Sequence, residues 1–171
     1  IKNPALDPTH ANFARDPDEI AGWTVRDRNN IQLYDVVSHV RPTILIGCST
    51  ASGAFSEDIV RLMATHVARP IILPLSNPNS LSEAKPDDLM TWTQGKAIIA
   101  TGSPFPDVFY EGSWYRVAQS NNALAFPGIG LGAIAARAKH ISDDMLWRAA
   151  KALECCSPVH QDKMAPVLPK L

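Results

Sequence analysis

The sequence predicts an α/β fold: a Rossmann-like parallel sheet with helices on both faces, truncated at its N-terminal strand or strands. Three observations carry this. The runs 43–47, 71–75 and 97–100 are short, continuously apolar and rich in β-branched residues, as expected of strands buried on both faces. Segments of helical periodicity lie between them, which implies a parallel sheet covered by helices. The loops 48–55, 76–83 and 101–106 that leave these runs are rich in Ser, Thr, Gly, Asn or Pro. In such sheets ligands bind at the carboxyl ends of the strands.

The elements follow in order. Residues 1–30 mix Pro, Asp, Asn and Arg with little periodicity and read as an irregular lead-in, with a short helix near 11–15. Arg15 and Arg26 within it read as solvated surface charges. Ile31, Leu33, Val36, Val37 and Val40 form a helical face that ends before Pro42. Thr43-Ile44-Leu45-Ile46-Gly47 is the first strand. Ser56 is placed to cap a helix over 57–67, which has acids in its first turn and ends at Pro70. Ile71-Ile72-Leu73-Pro74-Leu75 is the second strand, broken by Asn77-Pro78. Pro86-Asp87-Asp88 opens a helix to about residue 93, and Ala97-Ile98-Ile99-Ala100 is the third strand. Residues 109–115 read as a hairpin turning at Glu111-Gly112. A long helix is expected over 127–140, and Ser142 caps another over 143–156.

Bulk properties narrow the function. The chain has 171 residues, is 46% hydrophobic and 19% charged, and carries a net charge of −1. That suits one domain with a substantial core. No basic stripe is present, so neither nucleic acid nor an anionic membrane is expected as a partner. No run is long and apolar enough to span a bilayer. Cys48, Cys155 and Cys156 form neither a disulfide framework nor a zinc motif, which fits a reducing cytoplasm. Cys48, next to an apolar strand, is expected to be a buried inert thiol. Trp23, Trp92, Trp114 and Trp147 read as packing residues. The polar start Ile1-Lys2-Asn3-Pro4 has no signal-peptide character. Both ends read as cuts within a longer polypeptide.

Four loop features carry chemistry. Gly47-Cys48-Ser49-Thr50-Ala51-Ser52-Gly53 leaves a strand and enters a helix. Its small residues allow close backbone approach, and a helix N-terminus favours a phosphate or other anion. A plain βα turn is the competing reading. In Ser76-Asn77-Pro78-Asn79, Pro78 pushes Asn77 towards an extended conformation, so its carboxamide can project from the sheet edge. Ordinary turn chemistry explains it equally. Glu83 is read as serving a turn or cap, with no catalytic role. Gly128-Ile129-Gly130-Leu131-Gly132-Ala133 matches Gly-x-Gly-x-x-Ala, but it does not directly follow a buried strand. It is read as spacing that lets a helix pack closely on the sheet. Finally, Asn121 and Asn122 stand before Phe126-Pro127, where they either cap the helix entrance or hold a polar ligand. With Asn77 and the 101–105 loop alongside, a shared ligand cleft is the favoured reading.

Four ordered stretches together resemble the nicotinamide-binding domain of malic enzymes. They are Arg41-Pro42-Thr43-Ile44-Leu45-Ile46-Gly47; Arg69-Pro70-Ile71-Ile72 with Pro74-Leu75-Ser76-Asn77-Pro78; Ala100-Thr101-Gly102-Ser103-Pro104-Phe105; and Asn121-Asn122 with Phe126-Pro127-Gly128. The resemblance implies a partial dinucleotide-binding domain over residues 31–157, with a tail over 158–171. It implies NAD or NADP as cofactor, L-malate as substrate, and Mg²⁺ or Mn²⁺ held by residues upstream of this chain. The activity implied is oxidative decarboxylation of malate to pyruvate and CO₂ by a homo-oligomeric parent enzyme. By similarity, Asn77 and Asn122 contact the malate carboxylate, while Ser49, Asn77 and Asn121 contact the cofactor. The catalytic acid and base lie outside the chain, so the chain alone is expected to be inactive. Ser49-Thr50 also resembles malolactic enzymes, which remain an alternative, as does a non-catalytic dinucleotide-binding module.

Overall fold

A computed structural model describes residues 8–11, 13–162 and 164–171. The chain forms two compact units, Ile1–Val40 and Arg41–Leu171. The polar start at residues 1–4 lies outside the described residues.

In the first unit, helix α1 spans Pro8–Ala11, a 3-10 turn spans Pro17–Ile20, and helix α2 spans Leu33–Val40. The short helix thus precedes the expected site near 11–15. Asp16 and Glu19 close a capping box on the 3-10 turn, satisfying N–H groups that would otherwise stay unpaired. The buried Asp35 carboxylate accepts from the N–H groups of Gln32 and Arg26 and fixes the entry to α2. Both arginines are exposed, as expected of surface charges, and each has a local partner. Arg15 pairs with Glu19, and the Arg26 guanidinium lies 4.0 Å from the Tyr34 ring centroid.

The second unit is built on strands β1 (Ile44–Gly47), β2 (Ile71–Pro74), β3 (Ile98–Thr101) and β6 (Ala118–Gln119). They form one parallel sheet in the order β1-β2-β3-β6. Helix α3 (Glu57–His66) joins β1 to β2, and α4 (Pro86–Trp92) joins β2 to β3. The predicted α/β class therefore holds: a Rossmann-like parallel sheet with helices around it. An antiparallel hairpin, β4 (Val108–Tyr110) and β5 (Ser113–Tyr115), leads from β3 into β6. Its two turn residues, Glu111 and Gly112, have φ of 46° and 81°. Two positive φ values are what a two-residue type I′ turn requires.

The core lies between the sheet and the paired helices α3 and α4. Val60 and Met63 of α3, Leu89 and Met90 of α4, and Ile72 of β2 are buried. This follows from the sequence, because Ile59, Met63 and His66 recur at helical spacing while Pro86 starts α4 without needing an N–H partner.

Several expectations need correction. The first strand is not buried on both faces: Leu45 is buried, whereas Ile44 and Ile46 are 47% and 57% exposed. β1 is the edge of the sheet, and its side chains alternate between a helix-covered face and an open one. The Ser56 hydroxyl does not cap α3 but bonds the Asp58 carboxylate. Ser142 does cap helix α6 (Asp143–Cys155), accepting from Met145 N–H at 3.4 Å. Helix α5 covers Phe126–Ala135 and stops short of the expected residue 140, because Arg137 adopts φ 51°. A Cβ on Gly128, Gly130 or Gly132 meets nothing within 4 Å, so these glycines do not seat α5 on the sheet. Trp114 and Trp147 are 72% and 65% exposed and are not core residues; Trp114 instead tilts against Phe109 across the hairpin at 5.1 Å.

Candidate functional site

Strand register places the loops. Gly47 pairs with Pro74, and Thr101 pairs with Gln119. The Ile71–Ile98 pairing carries the same register from β2 to β3. All four strands therefore end at one level, over about 14 Å at three inter-strand steps. Ser49 lies two residues beyond β1, Asn77 three beyond β2, and Asn121 two beyond β6. Every residue singled out in the sequence sits on this carboxyl edge, and all four are exposed.

Adjacent loops are fastened to one another. Leu75 N–H donates to Gly47 C=O at 2.8 Å, Gly102 N–H to Pro74 C=O at 3.2 Å, and Ser120 N–H to Thr101 C=O at 2.8 Å. Side chains add a second layer. The Ser103 hydroxyl donates to Asn77 Oδ1, and Asn79 Nδ2 donates to Pro104 C=O at 2.8 Å. Thr101 Oγ1 donates to Ser103 C=O at 2.8 Å. The result is a tied edge lined with neutral hydrogen-bonding groups.

The Asn pair divides its tasks. Asn121 Oδ1 accepts from Ala123 N–H at 2.9 Å and caps the 3-10 turn Asn122–Leu124. Its capping role is therefore real. Asn122 is the exposed first residue of that turn, next to the start of α5. Asn77 shares the edge with the pair, while its own side chain bonds Ser103 and, at 3.4 Å, Leu75 C=O.

The largest departure from the sequence reading is Glu83. It is fully buried. Its Oε1 accepts from Ser49 N–H at 2.8 Å, Ser49 Oγ at 3.0 Å and Ser76 Oγ at 2.5 Å. Its Oε2 accepts from Ser76 N–H at 3.4 Å. Ser76 Oγ in turn accepts from Thr50 N–H at 2.8 Å. Glu83 thus serves more than a turn: it joins the loops after β1 and β2. Ser76 and Ser103 were likewise missed. Ser49 and Glu83 lie 34 residues apart and Asn77 and Ser103 lie 26 apart, beyond any local pattern, while Ser76 and Glu83, seven apart, match no turn or helical spacing. Cys48 is exposed, contrary to expectation, because the strand ends at Gly47 and the thiol stands on the loop beyond it.

Burial raises the pKa of the Glu83 carboxyl, but hydrogen bonds from Ser76 and Ser49 outweigh burial and hold it below its ordinary value of 4.5. A carboxylate whose folded pKa is depressed stabilises the fold above the unfolded pKa. That contribution is lost as pH falls from 4.5 through the folded value. Urea unfolding between about pH 3 and pH 6 should therefore show stability falling with acid more steeply in the unchanged protein than in Glu83→Gln. Parallel curves for the two would contradict this assignment.

Comparison with known proteins agrees with the geometry. Residues 2–171 match the family model described as "Malic enzyme, NAD binding domain". The chain is 49% identical over 168 residues to the NAD-dependent malic enzyme of Shewanella baltica strain OS155, covering 98% of this chain and 30% of that protein. The NAD-dependent malic enzymes of Shewanella sediminis and Shewanella putrefaciens match at 49% and 48% over the same share. The chain thus spans about 30% of the length of these curated relatives.

Proposed function

From the premise that this chain belongs to the malic enzyme family, as its NAD-binding domain, we propose that its sheet edge takes NAD and one end of L-malate, within an enzyme that oxidatively decarboxylates malate to pyruvate and CO₂. The observation that carries this is the alignment of four strand ends, with Ser49, Asn77, Asn121 and Asn122 exposed along one tied edge. NAD bound there would accept the hydride from the hydroxyl-bearing carbon of malate.

The chain's own residues bind and orient. The Nδ2 donors of Asn77 and Asn122 suit a malate carboxylate, since they hold an anion without adding charge. Ser49, Asn77 and Asn121 suit the ribose and amide groups of the cofactor. The relatives' names support NAD over NADP. No group of three or more His, Cys, Asp and Glu that could hold a metal ion occurs among the described residues. The Mg²⁺ or Mn²⁺ and the acid–base pair belong, in this proposal, to parts of the enzyme other than the described residues. The dinucleotide-binding domain is proposed to cover residues 31–157, between a lead-in over 1–30 and a tail over 158–171. No helix among the described residues is long and apolar enough to cross a membrane.

Calorimetric titration of this chain with NAD and with NADP tests the reading. Saturable binding of NAD is expected, with thermal stabilisation of about 2.7 kcal/mol at 100 times the dissociation constant. Malate with Mn²⁺ should give no NADH. Absence of NAD binding at millimolar cofactor would contradict the proposed site. Substantial turnover would contradict the placement of the acid, base and metal.

A further inference from the structure

We infer that Glu83 is a positioning residue for the cofactor loops, its buried carboxylate filling from within the protein the amide pocket that the first loop would otherwise offer to a phosphate. The inference rests on the reading of these loops as the dinucleotide site. Successive backbone N–H groups on a loop can hold an anion where they are unpaired, and Ser49 and Thr50 lie on the loop that precedes helix α3 at Glu57. Here two of those donors are already engaged. Ser49 N–H meets Glu83 Oε1, and Thr50 N–H meets Ser76 Oγ, which itself donates to Glu83. The carboxylate is satisfied by serine donors from two loops, with no cation among its hydrogen-bond partners in the described residues. Gly47 makes room for it: a Cβ there would fall 2.6 Å from Glu83 Cδ.

Two consequences follow. The loops after β1 and β2 move together, since one carboxylate holds both. The first loop also carries a buried negative charge beneath its exposed Cys48, Ser49 and Thr50. Like charges repel at close range, so this loop receives the uncharged or cationic parts of the dinucleotide and not its phosphates.

Hydrogen exchange at the Ser49 and Thr50 amides, measured with NAD titration, tests the inference. Glu83→Gln keeps the shape of the side chain but replaces an acceptor by a donor. It should speed exchange at both amides at least tenfold and raise the NAD dissociation constant at least tenfold. In Glu83→Ala, added formate should restore amide protection and NAD affinity together. Inorganic phosphate should protect the freed amides in that variant and leave the unchanged protein unaffected.

Unchanged exchange in Glu83→Gln overturns the inference. So does faster exchange with NAD affinity within twofold, which would make the carboxylate a structural anchor alone. If the unchanged protein does not bind NAD, the reading of the loops as a dinucleotide site fails. Exchange and formate rescue then still decide whether Glu83 is the anchor, and lack of rescue overturns it. Should Glu83→Ala fail to fold, Ser76→Ala keeps the carboxylate and removes one donor. It should speed exchange at Thr50 and weaken NAD binding several-fold; no change in either would likewise overturn the inference.

Discussion

Gly102→Ala is expected to destabilise the protein by at least about 4 kcal/mol, which is exceptional for a single substitution and close to the whole stability of many domains. For a chain of this size that is a loss of roughly 8–16 °C in melting temperature. The cause is space, not backbone conformation. A Cβ at Gly102 would stand 2.0 Å from the Leu75 carbonyl oxygen and 2.6 Å from its carbon. Both are backbone atoms, so no side-chain rotation relieves the clash. Relief requires the loops after β2 and β3 to separate, which breaks the 3.2 Å bond from Gly102 N–H to Pro74 C=O. The same movement pulls Ser103 away from Asn77, so NAD affinity should fall with stability. Gly128→Ala is the internal control. Its Cβ meets nothing within 4 Å inside helix α5, and the change should be neutral or stabilising by up to about 1 kcal/mol. Thermal melts of the two variants decide the matter. A Gly102→Ala protein melting within about 2 °C of the unchanged one would contradict the close approach of these loops.

Asn122→Asp should lower kcat/KM for malate at least about 100-fold in the complete enzyme, equivalent to about 2.7 kcal/mol. The substitution removes the Nδ2 donors and sets a negative charge against a substrate carboxylate. Two like charges about 4 Å apart at a partly solvated site repel by about 4 kcal/mol, and a hydrogen bond to a charged group is worth about 1.5–3 kcal/mol. Exposure of Asn122 reduces both, which is why the expected loss is smaller than their sum. Fold stability should change by less than about 0.5 kcal/mol, because the site is exposed and precedes the positive end of α5. Asn121→Asp provides the contrast. Aspartate keeps the cap on Ala123 N–H, so stability should hold, while the loss should appear in NAD affinity. Equal malate kinetics for Asn122→Asp and the unchanged enzyme would remove Asn122 from the substrate site.

These effects depend on different levels of information in the sequence. The strand runs were legible because continuous apolar β-branched residues bounded by Pro and Gly are a local signal. The turn at Glu111-Gly112 was legible for the same reason. Part of the exposed edge was also legible: Ser49 and Asn77 follow predicted strands in a parallel sheet, and such positions face one side. Asn121-Asn122 read as a helix entrance, because the two-residue strand β6 before them is too short to carry a local pattern. Boundaries were less secure. Helix α5 ends at Ala135 through the left-handed Arg137, a position with no glycine to announce it.

The sequence by itself determined the α/β class, the strands β1 to β3 and the helices α3, α4 and α6. It also determined the placement of Ser49 and Asn77 at strand ends, because these features are written within windows of ten or so residues. Only the tertiary structure decided that Glu83 is buried and joined to Ser49 and Ser76, that Ser103 meets Asn77, and that β1 leaves Ile44 and Ile46 exposed. Parallel strands require long crossovers, so residues that meet between neighbouring strand ends, such as Ser49 with Glu83 and Asn77 with Ser103, lie tens of positions apart. Their contact depends on strand order and register, and the burial of a strand face depends on what covers it; neither is encoded at the residue itself.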